Sequence, residues 1–219
     1  MSYHVRIKIC GVTTAADAHE AARLGADAVG LNFYEGSPRR IEPAEVENVL
    51  RKLPPFVEAV GVFVNRPLCE IIAYLGPWRR LRTVQWHGDG CEPGDGRPYR
   101  LIPAFPVRDA ASLAVVTAHL DACRALGPLP AAVLLDGHSP GQHGGTGRIA
   151  PWELIAAFRP GVPILLAGGL TPENVAEAVR VVRPYAVDVA SGVERAPGRK
   201  DAEKMRRLIA AAREAAAGV

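Results

Sequence analysis

The stretch VRIKICGVT, residues 5–13, decides how the rest of the chain is read. Val5, Ile7 and Ile9 alternate with Arg6, Lys8 and Cys10, and period-2 alternation puts the two sets on opposite faces of a strand. Gly11 ends that strand and lets other groups come close to the Cys10 sulfur. Lys8 shares the face of Cys10 and brings a positive charge that favours thiolate. A free cysteine is commonly just a small buried hydrophobe, so its chemistry depends on what other strands bring beside it.

The same pattern returns along the chain. Strands are expected at 5–10, 27–33, 57–64, 82–87, 100–105, 131–136, 162–167 and 186–190. Helical periodicity falls between them, near 14–24, 43–53, 67–77, 109–125, 151–158, 172–183 and 200–216. Strict alternation of this kind makes a parallel sheet with crossover helices. Eight such units in 219 residues fit a single-domain (β/α)8 barrel, the TIM barrel, spanning 1–219. The segment GDGCEPGDGRP (88–98) is too rich in Gly and Pro for a long helix, so the element after strand 4 should be short or degenerate. An open doubly wound sheet is the competing fold, but its glycine fingerprint is absent after strand 1. Thr171 reads as an N-cap with Pro172 in the first helical position, ahead of an apolar stripe of Val175, Ala178, Val179 and Val182.

Composition narrows the function. The chain is 48% hydrophobic and 22% charged with a net charge of +3, ordinary for a soluble protein. The N-terminus shows no secretory pattern and no apolar run reaches membrane length, so a cytoplasmic protein with no membrane partner is expected. Its 22 Arg and 4 Lys are scattered, with WRRLR (78–82) the densest patch, which argues against nucleic acid and for a small anionic ligand. The four cysteines form no C-x-x-C pair, and Cys91 with His87, His138 and His143 fits no metal-ligand spacing.

Parity then gathers polar groups inside the barrel. DAVGLNF (27–33) sends Gly30 and Asn32 inward, RTVQWH (82–87) Gln85 and His87, AAVLLD (131–136) Leu134 and Asp136, and AVDVAS (186–191) Asp188 and Ala190. Cys10, Asn32, His87 and Asp136 therefore meet at the C-terminal strand ends, with Lys8, Gln85 and Asp188 one layer below. Valine, isoleucine and leucine normally fill these positions, so such a set marks an active site at the catalytic end of the barrel. Closure brings Asp188 beside strand 1, where it can pair with Lys8. Glycine-rich turns GQHGGTG (141–147), AGGL (167–170) and ASGVE (190–194) follow strands 6, 7 and 8. Their bare amides, at Gly145, Thr146, Gly168, Gly169, Ser191 and Gly192, suit a phosphate group. A small phosphorylated substrate follows.

Taken in order, KICGVT, DAVGLNFYEGSPRRI, VGVFVN, VQWHG, LLDG, GGTG, LAGGLTPENV and DVASGVE with PGRKD resemble the motifs of the phosphoribosylanthranilate isomerases of tryptophan biosynthesis, from residue 6 to about 201. The resemblance implies an Amadori rearrangement of N-(5-phosphoribosyl)anthranilate to 1-(2-carboxyphenylamino)-1-deoxyribulose 5-phosphate. It implies Asp136 as the general acid that opens the furanose to a Schiff base and Cys10 as the general base at C2′. It gives Arg39 of GSPRRI, in preference to Arg40, the substrate carboxylate, and places His87 at the mouth as a substrate contact or a wall residue. No metal or cofactor is implied, because the protonated imine is itself the electron sink. For thiolate at neutral pH, Cys10 needs a field to which Lys8 contributes, and Asp136 must be protonated to act. The chain departs from the family at Trp86, usually leucine, and at Ala190, commonly serine. Competing readings are an inactive phosphosugar-binding barrel and the aminoaldose isomerase of histidine biosynthesis, which carries aspartate where this chain has Cys10. Monomer and homodimer both remain open.

Overall fold

The apolar–polar alternation closes into a ring in the computed structural model, which describes residues 3–88, 96–137 and 152–218. Strands β1 (Arg6–Cys10), β2 (Ala28–Asn32), β3 (Glu58–Val64), β4 (Thr83–His87), β5 (Arg100–Pro106), β6 (Val133–Asp136), β7 (Ile164–Ala167) and β8 (Ala186–Val189) form a closed parallel barrel in chain order. Helices α1 (Ala15–Leu24), α2 (Pro43–Lys52), α3 (Leu68–Leu75), α4 (Ala110–Leu126), α5 (Trp152–Ala157), α6 (Val175–Val182) and α7 (Ala202–Ala217) wrap it. The segment after β4, where a short or degenerate element is expected, lies mostly outside the described residues. None of the helices is long and apolar enough to cross a membrane.

Each strand buries two faces for different ends. Ile7, Ile9, Val29, Leu31, Val84, Trp86, Val133, Leu135, Val187 and Val189 point outward into the layer shared with the helices. Trp86, where the family usually has leucine, lies there with its indole Nε1 donating to the Arg66 carbonyl at 2.9 Å. Inside, a smaller apolar plug of Ile102, Ala104, Ala132, Leu134, Leu165, Ala167 and Ala186 fills the side of β5 to β8. The β1, β4 and β8 side instead buries Lys8, Thr83, Gln85 and Asp188.

Local signals set the helix ends. Thr14, Asp109 and Asp201 cap α1, α4 and α7 by accepting the amides of Asp17, Ser112 and Lys204. Gly25 ends α1 at φ 103°, a conformation that suits glycine. Arg80, from the densest basic patch, is spent on the carbonyls of Leu50, Leu53 and Pro54 at the end of α2. The expected cap at Thr171 is present: Thr171 Oγ1 accepts the Glu173 amide at 3.3 Å and its carbonyl accepts the Val175 amide at 3.1 Å, with regular helix running from Val175 after a turn over 172–174. There the Asn174 side chain folds back, accepting from the Thr171 amide at 2.8 Å and donating to the Gly169 carbonyl at 2.9 Å. With the Thr171 hydroxyl it makes a reciprocal cap on the first turn and anchors that turn to the Gly169 loop.

Candidate active site

Register explains how the polar groups meet. Pairing of β1 with β8 sets Lys8 opposite Asp188, and pairing of β1 with β2 sets Cys10 opposite Gly30. Lys8 Nζ lies 2.8 Å from Asp188 Oδ1, and both side chains are almost wholly buried. Above this pair opens a cleft of about 330 Å³ lined by Cys10, Asn32, Arg39, Gln85, His87, Asp136, Gly168, Gly169, Asp188 and Ser191. Cys10 and Asp136 sit at the ends of β1 and β6, far apart around the ring but on one cleft. Lys8 lies beneath it. Gly145 and Thr146 fall outside the described residues, as do Cys91, His138 and His143. Among the described residues no three metal-binding side chains gather.

Burial pushes the Cys10 thiol above its ordinary range, and the Asp188 carboxylate adds to the rise. Lys8 and Lys200 pull downward without overcoming it. The expected field from Lys8 is thus present but insufficient by itself, because burial opposes it first and the neighbouring Asp188 charge second. Burial works against the Lys8 charge too, yet Asp188 and Cys10 hold its pKa above the usual lysine value. His87 is lowered, chiefly by burial, so its imidazole is neutral at pH 7. Its Nε2 lies 2.6 Å from the Gln85 amide nitrogen, and Gln85 Oε1 is buried with no partner among the described residues.

Gly30 faces inward beside Cys10. A Cβ there would lie 2.7 Å from Cys10 Sγ and 3.0 Å from Lys8 Nζ, so the missing side chain is the space these groups occupy. Gly30→Ala is expected to cost about 1–3 kcal/mol through overpacking and to lower turnover. Urea unfolding beside an activity assay checks this; an unchanged midpoint would mean that sulfur and ammonium can move aside freely.

The loop after β2 presents the arginine. Asn32 Nδ2 donates to Ser37 Oγ at 3.1 Å, and Ser37 Oγ accepts the Arg39 amide at 3.1 Å. Arg39 lines the cleft, whereas Arg40 faces Glu42 on the surface at 3.4 Å. Arg39 is held by Glu194, and Glu194 by Lys200, two residues to which the sequence reading gave no role. Across the mouth, Gly168 and Gly169 both line the cleft and take positive φ, 101° and 63°, which suits glycine. Ser191–Val193 form a short 3-10 turn, and a Cβ on Gly192 would meet the Leu170 carbonyl oxygen at 1.9 Å. The two glycine turns therefore pack backbone against backbone.

A closed parallel barrel with a thiol and a carboxyl at the mouth, between an arginine and amide-rich turns, defines a (β/α)8 enzyme of the acid–base type. A family model described as N-(5′-phosphoribosyl)anthranilate (PRA) isomerase matches residues 7–211. A curated N-(5′-phosphoribosyl)anthranilate isomerase from Geobacter metallireducens is 46% identical, over 94% of this chain and 97% of its own length. A crystal structure of phosphoribosyl anthranilate isomerase with reduced 1-(o-carboxyphenylamino)-1-deoxyribulose 5-phosphate matches with TM-score 0.78 and 35% identity, covering 96% of this chain and 99% of that one. A crystal structure of mutually generated monomers of the dimeric phosphoribosylanthranilate isomerase from Thermotoga maritima matches with TM-score 0.77 and 33% identity, over 96% of this chain and 99% of that one. The chain belongs to the N-(5′-phosphoribosyl)anthranilate isomerase family, and is an isomerase of tryptophan biosynthesis.

Proposed function

We propose that Cys10 and Asp136 carry out the Amadori rearrangement of N-(5-phosphoribosyl)anthranilate. Asp136 gives its proton to the furanose ring oxygen as the C1′–O bond breaks, leaving the nitrogen lone pair to form a cationic imine. Cys10 then takes the C2′ proton, and the C–H electron pair becomes the C1′–C2′ double bond of an enolamine while the imine nitrogen is neutralised. Tautomerisation of the enol gives the ketone. The observation that carries this reading is the position of a thiol and a carboxyl on strands β1 and β6 of one cleft. Opposite walls let the two groups act on different parts of one sugar without neutralising each other.

Arg39 holds the anthranilate carboxylate, and amides of Gly168, Gly169, Ser191 and Gly192, with Gly145 and Thr146, hold the phosphate. The loss of a hydroxyl at Ala190 removes one phosphate contact and leaves the amides in place. His87, neutral and tied to Gln85, forms the wall beside the sugar. The test is the decay of phosphoribosylanthranilate fluorescence on adding the purified protein. Turnover supports the assignment; binding of a product analogue without turnover would support the inactive barrel. The aminoaldose isomerase of histidine biosynthesis is disfavoured by Cys10 in place of aspartate.

We read residues 1–219 as one domain, supported by the β1–β8 pairing of the two ends of the chain. The free thiols Cys10, Cys69 and Cys123 support a reducing, cytoplasmic setting. For assembly we infer a homodimer. Phe56, between α2 and β3, is 97% exposed beside a cavity of about 550 Å³ at the N-terminal strand ends. The relative from Thermotoga maritima is dimeric, and a ring so exposed gains by burial against a second copy. Phe56→Ser is expected to halve the mass seen by light scattering at micromolar concentration, and equal masses for both proteins would remove Phe56 from assembly.

A further inference from the structure

The two residues behind Arg39 have a task that deepens the reading just given and rests on it. Glu194 opens the short strand β9 (Glu194–Ala196), directly after the turn Ser191–Val193, and Lys200 closes its partner β10 (Arg199–Lys200). The Glu194 carboxylate accepts from Arg39 Nε at 3.0 Å and Nη2 at 2.8 Å, from Lys200 Nζ at 2.8 Å, and from the Gly198 amide at 3.3 Å. Lys200 Nζ also donates to the Ala190 carbonyl at 3.1 Å, which ties the group to the turn carrying Ser191.

Two consequences follow from charge and shape. One carboxylate faces two cations, so the trio keeps one positive charge. The Lys200 side chain is wholly buried and the Arg39 side chain is 25% exposed, so that charge reaches the cleft through Arg39. A guanidinium can clasp a carboxylate by either of two edges. Glu194 occupies the Nε–Nη2 edge, which leaves the Nη1–Nη2 edge for an anion in the cleft.

We propose that Glu194 and Lys200 are positioning residues that fix Arg39 with its terminal edge turned into the cleft, and that this sets selectivity for a substrate whose aromatic ring bears a carboxylate. Glu194 binds the flexible arginine in one conformation before substrate arrives. Lys200 keeps Glu194 from neutralising the charge that the substrate meets.

The test compares two substrates prepared in solution from ribose 5-phosphate, one with anthranilate and one with aniline, on the full-length protein, with product separated by chromatography. Wild type is expected to favour the carboxylate-bearing substrate by about 100-fold in kcat/KM. Glu194→Asp keeps every charge but withdraws the carboxylate by one methylene. It should lower kcat/KM about 10-fold on the anthranilate substrate, mainly through KM, and leave the aniline substrate within about twofold. Lys200→Gln, which leaves the Arg39–Glu194 pair intact, should reduce the same preference and serves if Glu194→Asp does not fold. Parallel loss on both substrates would show a merely structural role, and an unchanged preference in both variants would equally overturn the proposal. If wild type itself shows no preference, the assignment of the carboxylate to Arg39 fails, and this inference fails with it.

Discussion

Cys10→Ser is expected to lower kcat at least about 10³-fold, and Asp136→Asn by a comparable factor, with folding unchanged. Serine keeps the size and the hydrogen-bonding capacity of cysteine. What it loses is acidity: a hydroxyl at this position cannot become an effective base near neutral pH, even with Lys8 below it. Asparagine has nearly the shape of aspartate and has no proton to give the ring oxygen. Ring opening then depends on water, which the cleft wall hinders. Because both groups serve one sequence of proton transfers, the double variant should be scarcely slower than the worse single one, since residues acting as a unit are non-additive. The fluorescence decay of phosphoribosylanthranilate measures all three proteins. Retention of more than about a tenth of wild-type kcat by either single variant exceeds what loss of a general acid or base permits and would move that role elsewhere.

The sequence reveals this much because the barrel repeats one rule. Once Val5, Ile7 and Ile9 are set facing out, period-2 parity places Cys10 inward, and the same step at β2, β4, β6 and β8 places Asn32, His87, Asp136 and Asp188. Closure of β8 on β1 then makes the Lys8–Asp188 pair a matter of register. Glu194 and Lys200 escape that rule. They stand on a two-stranded hairpin outside the barrel, where three- and two-residue strands carry no readable period. Their partner Arg39 lies 155 residues earlier than Glu194, a contact no local pattern announces. The signal that could have raised them was electrostatic: an acidic and a basic residue flanking a Pro-Gly turn beside a binding loop. Gly30 is a different case, since a glycine within a strand reads only as weakness until the sulfur and the ammonium beside it are seen. The balance at Cys10 was equally out of reach, because sequence shows the nearby lysine while burial and the shared Asp188 decide the sign.

Lys8→Met is expected to be the most damaging single change to stability, costing about 3–5 kcal/mol, because it strands the buried Asp188 carboxylate without its partner. For a chain of 219 residues this is a fall in Tm on the order of 10 °C. The raised pKa of Lys8 and of Cys10 supplies stability that is present below their unfolded values and fades only in alkali, as pH passes through the folded ones. Catalysis reports the same pair differently. Thiolate is the active form of Cys10, so the limb of kcat/KM that rises with pH should lie above the ordinary cysteine range in the free enzyme. In the complex the cationic imine adds a positive charge beside the sulfur, so the corresponding limb of kcat should lie lower. Removing Lys8 takes away one of the groups that lower Cys10, and the kcat/KM limb should move further upward. Lys8→Met with Asp188→Asn removes a lowering and a raising influence together and leaves no buried charge unpaired. It should regain most of the Tm and bring the limb back toward wild type. Thermal melts and pH profiles of the three proteins check this. If Lys8→Met leaves the limb where it was, Lys8 serves only to neutralise Asp188, and Lys200 becomes the cation that matters to Cys10.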